Sequence, residues 1–134
     1  MRLSRRNAIV LGAAAVLMAA PLRGGERLVR AMTGGATPPE RRVRIDAPES
    51  AGHAAAVPVT VRCDEAELIR LFAPANPTPE VFTARFGPHS ARPELATRIR
   101  MDRSQDLIAV ARLRGGGFVM ARAHVEVGRS GCRV

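Results

Sequence analysis

The sequence predicts an all-β chain folded as an antiparallel β-sandwich. Three observations carry that prediction. From Val43 onward apolar residues recur at every second position, the period of a strand lying over a core. Clusters of Gly, Pro and Asn interrupt the runs at short intervals, as turns do. About seven such runs fit between residues 42 and 127, the strand density of an immunoglobulin-like sandwich.

Composition sets the outer limits. A chain of 134 residues holds one ordinary domain. A hydrophobic share of 46% excludes a wholly disordered chain. With four Phe and no Trp or Tyr, the chain lacks the aromatic platforms that single-stranded nucleic acid stacks on. All 21 basic residues are arginine, against 12 acids, for a net charge of +9. Six of those arginines and one acid lie in residues 1–31; the remainder, 15 against 11, carries only +4. They are scattered along strands rather than gathered in a stripe, so no nucleic-acid footprint is expected. The two Cys and three His lack the close paired spacing of a typical structural zinc site.

Residues 1–31 read as an export signal. Arg5-Arg6 stands before an apolar run, Ala8 to Ala20, of 13 residues. Such a run is shorter than the roughly 20 residues a membrane-spanning helix needs. A basic start followed by a short apolar stretch is a secretory signal, and the arginine pair points to the twin-arginine type. Small residues at Met18-Ala19-Ala20 and again at Val29-Arg30-Ala31 leave two candidate cleavage points. The Gly- and Pro-rich stretch after them, through residues 32–41, reads as a linker. The expected product is periplasmic, without a membrane span, in a compartment that permits disulfides.

The strands then come in order: 42–46, 57–63, 66–73, 80–86, 94–101, 106–113 and 117–127. In the second, Val57, Val59, Val61 and Cys63 share one face; Pro58 argues that this strand starts at an edge. Leu95, Thr97, Ile99 and Met101 do the same in the fifth. In the sixth, Leu107, Ala109, Ala111 and Leu113 are expected inside, and in the seventh Val119, Ala121, Ala123, Val125 and Val127. The intervening residues, among them Ile108, Val110 and Met120, fall on the face expected to meet water. Ala75-Asn76-Pro77-Thr78-Pro79, Gly87-Pro88-His89-Ser90 and Gly115-Gly116-Gly117 supply the breaks.

No catalytic constellation is visible. His53 and His89 fall in turns and His124 on the polar face of the last strand, where solvated histidines are ordinary; no metal-ligand spacing joins them. The chemically distinctive segment is the end: Gly128-Arg129-Ser130-Gly131-Cys132-Arg133-Val134. A thiol three residues from the terminus serves no core, and glycines around it give an arm its freedom. Arg129 and Arg133 flank Cys132; positive charge favours the thiolate and attracts oxyanions. Cys63, in phase with three core valines, reads as a buried structural thiol. A Cys63–Cys132 disulfide is the alternative pairing.

These pieces resemble SoxY, the sulfur-carrier subunit of the periplasmic sulfur-oxidizing (Sox) system. Ala47-Pro48-Glu49 and Ala56-Val57-Pro58-Val59-Thr60-Val61 resemble its first strands. Leu71-Phe72-Ala73 through Asn76-Pro77-Thr78-Pro79 resembles its apolar strand and Asn-Pro turn. Phe86, then Thr97-Arg98-Ile99-Arg100-Met101, resembles the sheet segment with its R-I-R motif, and Ala121 to Val127 leads into Gly131-Cys132. The resemblance implies an Ig-like fold, a heterodimer with a SoxZ-like subunit, and no catalysis or cofactor of its own. It implies that Cys132 bears covalent sulfur intermediates of thiosulfate oxidation and presents them to the Sox enzymes that load and process them. Two departures stand out. The family tail is Gly-Gly-Cys-Gly-Gly, where this chain keeps one of four flanking glycines, Gly131. Its acidic-Gly turn is replaced by Ser50-Ala51-Gly52-His53-Ala54. The competing reading is a divergent Ig-like periplasmic binding module, with or without the disulfide, that does no carrier chemistry.

Replacing Arg5 and Arg6 together with lysine should hold the precursor in the cytoplasm, read by fractionation and immunoblot. Unchanged export would remove the twin-arginine route and leave general secretion standing.

Overall fold

The computed structural model describes residues 24–128. Eight strands come after one helix: α1 (Gly24–Thr33), β1 (Val43–Asp46), β2 (Ser50–Ala51), β3 (Val57–Cys63), β4 (Ala66–Phe72), β5 (Glu80–Arg85), β6 (Glu94–Ile99), β7 (Gln105–Leu113) and β8 (Phe118–Val127). They form two sheets, one ordered β1-β3-β6 and the other β2-β8-β7-β4-β5. Except for β2, which runs parallel to the end of β8, every neighbouring pair is antiparallel. The fold is thus the expected all-β Ig-like sandwich. The seven expected strands stand within two residues of their anticipated bounds. The eighth, β2, is two residues long, below what periodicity can register.

Alternation decides the core. Val57, Val59, Val61 and Cys63 of β3 meet Ile69 and Leu71 of β4, Leu107, Ala109 and Ala111 of β7, and Val119 and Val125 of β8 between the sheets. Pro58 fits the same logic. β3 is the central strand of its sheet, but its ladder to β1 ends at Thr60, so Pro58 sits where β3 has a neighbour on one side only. The Gly115-Gly116-Gly117 loop closes the β7–β8 hairpin with Gly116 and Gly117 at φ of 92° and 86°, a region costly for any side chain with a Cβ.

The outer face of the larger sheet corrects one expectation. Ile108, Val110 and Met120 do not meet water: with Phe72 they form a second buried cluster, each 3% exposed or less. The cover is α1, which seats Val29 in the cluster with Leu28 and Met32 beside it. Sequence pattern alone places this segment at the end of the export signal and the start of the linker; its residues Gly24–Thr33 form an amphipathic helix that the pattern did not reveal. Its apolar stripe is only three residues, hidden among glycines and arginines. The fit is close: a Cβ on Gly25 would lie 2.5 Å from Ile108 Cδ1. Among the described residues, no helix is long and apolar enough to cross a membrane.

Cys63 is fully covered, and burial pushes its thiol above the ordinary value, against a smaller opposing pull from Arg42. Cys63→Ser should cost roughly 1–3 kcal/mol, by placing a hydroxyl among apolar neighbours. Urea unfolding should show a lower midpoint at unchanged slope; an unshifted midpoint would mean the core tolerates the hydroxyl.

Candidate functional site

The candidate site is the end of β8, from which the sequence runs on to Cys132. Three successive amides are held there. Glu126 N–H donates to Glu49 O and Gly128 N–H to Ala51 O, each at 2.9 Å, on the β2 side. Val127 N–H donates to Ser104 Oγ at 2.9 Å on the other. The strand therefore stays gripped from both sides through Gly128, the last described residue.

Ser104 belongs to a loop that is itself tied down. Asn76, at the head of the Asn-Pro turn, donates through Nδ2 to Arg100 O at 2.8 Å. Its Oδ1 accepts from Asp102 N–H at 3.0 Å and from Gln105 Nε2 at 2.9 Å. Gln105 Oε1 in turn accepts from Ala75 N–H at 2.8 Å. Pro77 stiffens the turn while the Asn76 amide pairs as a strand backbone would. Gln105 is the one buried polar side chain among the described residues, and no buried side-chain nitrogen or oxygen there lacks a partner. A fully paired network of this kind specifies one loop geometry.

Beside the strand end, on the outer sheet face, stands a charged triad. His124 Nδ1 lies 2.6 Å from Asp106 Oδ1, and Nε2 lies 2.7 Å from Glu126 Oε1. Asp106 and His124 are direct partners in the β7–β8 ladder, while Glu126 lies two residues on along the same face of β8. Both ring nitrogens can donate only in the imidazolium, so the pair of carboxylates, Glu126 first and Asp106 second, raises the His124 pKa above its ordinary value. Glu126 is lowered in return, chiefly by His124 and then by the Ser104 hydroxyl. Ser104 thus touches both the backbone and a side chain at the arm's root.

A concavity of about 290 Å³ opens at this end, lined by His53, Ala54, Arg100, Met101, Asp102 and Gly128 with their neighbours. Of the residues expected at the site from sequence, Gly128 lies here and is gripped; Arg129, Gly131, Cys132 and Arg133 lie outside the described residues. His53 joins the rim, His89 sits in an exposed turn, and His124 sits in the triad. Among the described residues no group of His, Cys, Asp and Glu is arranged to hold a metal. Cys63 stands apart. β3 enters at the rim, where Ala54 O accepts from Met101 N–H, and Cys63 is six residues further along, roughly 20 Å at about 3.3 Å per residue. Sequence reading missed Ser104, Gln105 and Asp106. The i, i+2 pair of His124 and Glu126 is legible on one strand face, but Asp106 joins them only through the hairpin register.

The model of the family described as sulfur oxidation protein SoxY matches residues 29–132. Among solved structures, the sulfur carrier protein SoxY from Chlorobium limicola f thiosulfatophilum is 32% identical, with a TM-score of 0.65, covering 78% of this chain and 96% of that one. A superoxide reductase (neelaredoxin) from Ignicoccus hospitalis is 20% identical with a TM-score of 0.58, covering 66% of this chain and 81% of its own. That second likeness is one of fold alone. No curated protein matches the chain.

The triad predicts a pH signature. His124 contributes stability that is fully present below the ordinary histidine value of about 6.5 and fades as pH rises through its raised pKa. Glu126 contributes stability that is lost as pH falls through its lowered pKa. The triad is therefore most effective between those limits. An NMR titration should place the His124 midpoint above about 6.5, and Asp106→Asn should bring it down. A wild-type midpoint at or below that value would contradict the bonded geometry.

Proposed function

This chain belongs to the SoxY family of sulfur oxidation proteins, and on that premise we propose that it is a periplasmic sulfur carrier whose Cys132 covalently holds the intermediates of thiosulfate oxidation. The observation that carries the proposal is that the family match extends from residue 29 to Cys132, while the strand leading to it is gripped up to Gly128. A carrier needs a fixed root and a reaching tip. Cys132 lies four positions beyond Gly128, a span of up to about 14 Å at 3.3–3.6 Å per residue. Arg129 and Arg133 favour the thiolate, the nucleophilic form, and balance the charge of an oxidised sulfur adduct.

In this reading the protein catalyses nothing itself. Enzymes of the Sox system load, hydrolyse and oxidise the sulfur, and a SoxZ-like subunit completes a heterodimer. Export through the twin-arginine route delivers the chain to the compartment where they work. Geometry disfavours the alternative Cys63–Cys132 disulfide. A fully stretched arm of up to about 14 Å falls short of the roughly 20 Å that β3 puts between the rim and Cys63, and its tip would also have to enter a closed core. Arg133 and Val134, where the family has glycines, make the tip bulkier and give it a side chain that a matched partner would have to accommodate.

The test is loading. Protein from cells grown on thiosulfate should carry sulfur adducts by intact mass, and Cys132→Ser should abolish them while shifting stability by no more than about 0.5 kcal/mol, the usual effect of an exposed change. Cys63→Ser should keep its adducts. Adducts that survive Cys132→Ser, or a wild-type mass lower by two protons, would defeat the carrier reading.

A further inference from the structure

We propose that export processing cuts this chain upstream of Gly24, so that α1 is the first element of the mature protein and the Val29-Arg30-Ala31 point is not a processing site. The proposal rests on the export reading and goes beyond it, because the sequence leaves two small-residue points open. Val-x-Ala at residues 29–31 has the small residue that signal peptidases favour, at least as well placed as Met18-Ala19-Ala20.

Packing separates the two. A cut after Ala31 would remove all of α1 except Met32 and Thr33. It would take away Val29, itself 2% exposed, and bare Phe72, Ile108, Val110 and Met120, none of which is more than 3% exposed. A contiguous apolar patch of that kind, in place of a face the chain covers with its own helix, invites aggregation. The contact extends to the start of the helix: Gly25 is buried, and its missing Cβ is what lets the helix backbone approach Ile108 and Pro74. The helix is also finished as a structural unit. Gly35 N–H donates to Arg30 O at 2.8 Å, with Gly34 and Gly35 at φ of 75° and 102°, a left-handed stop at its C-terminus.

The segment after the helix is fastened as well. Pro38 is buried, Met120 N–H donates to Pro39 O at 3.0 Å, and Glu40 stands 3.7 Å from Arg122. The stretch expected to be a linker is therefore a strap that returns α1 to the edge of β8. The family match begins at residue 29, inside α1, so part of the helix lies within the shared region.

The experiment is the intact mass of the exported full chain, produced in a bacterium with both secretory routes and recovered from the periplasm. The expected first residue lies between 20 and 24. A product starting at Met32 overturns the proposal while leaving export intact. A chain that keeps its full length and stays in the cytoplasm overturns the export reading and the proposal with it, and its Met1 start distinguishes the two failures. Ala31 is exposed, so Ala31→Leu alters the second point without touching the core. Its product should keep the wild-type first residue, and loss of processing in that variant would equally overturn the proposal.

Discussion

The middle of β7 and the start of β8 are buried on both faces, and the rest of the structure is arranged around that constraint. Leu107, Ala109, Ala111, Val119 and Val125 fill the space between the sheets. Ile108, Val110 and Met120, one residue out of phase, need a second cover. A strand apolar on both sides cannot sit on the outside of a two-layer sandwich without one. α1 supplies that cover, and the strap after it ties back to β8. The small residues Ala109 and Ala111 let the sheets close over the valines of β3 without the aromatic bulk this sequence lacks.

The same hairpin leads to the arm. Its open end is where Asp106 faces His124 and where Ser104 holds Val127. The root is thus built from three levels of bonding: a backbone clamp to β2, the Ser104 hydroxyl, and the carboxylate–histidine–carboxylate set. Asn76 reaches across from another turn to hold the loop that carries Ser104. Cys63, at the opposite end of β3 and fully covered, belongs to the core. Burial leaves Cys63 a packing role, apart from the one proposed for Cys132.

Much of the sandwich was legible because strand alternation is a local signal. Val57 to Cys63 announces its inward face in seven residues, and the Gly115-Gly116-Gly117 turn announces its hairpin. The features that escaped depend on a second element. Ile108 and Val110 look like outward positions until a helix is placed over them. The helix in turn offers so short an apolar stripe that the neighbouring export signal and glycines mask it. Ser104, Gln105 and Asp106 are ordinary polar residues in sequence; only the register of β7 against β8 and the reach of Asn76 bring them to the arm. Cys132 was conspicuous because it follows the last strand pattern among glycines and arginines.

Native-state hydrogen exchange tests this account most directly. The amides of Ala109 and Val110, inside a hairpin covered on both faces, should exchange only through global unfolding. Val127 and Gly128, gripped by Ser104 and Ala51, should remain protected above the level of a fraying strand end. A Val127 amide that exchanges freely beside a protected Ala109 would show that the root is not clamped. Fast exchange at Val110 would show that α1 does not cover the outer face, and the account would fail at its foundation.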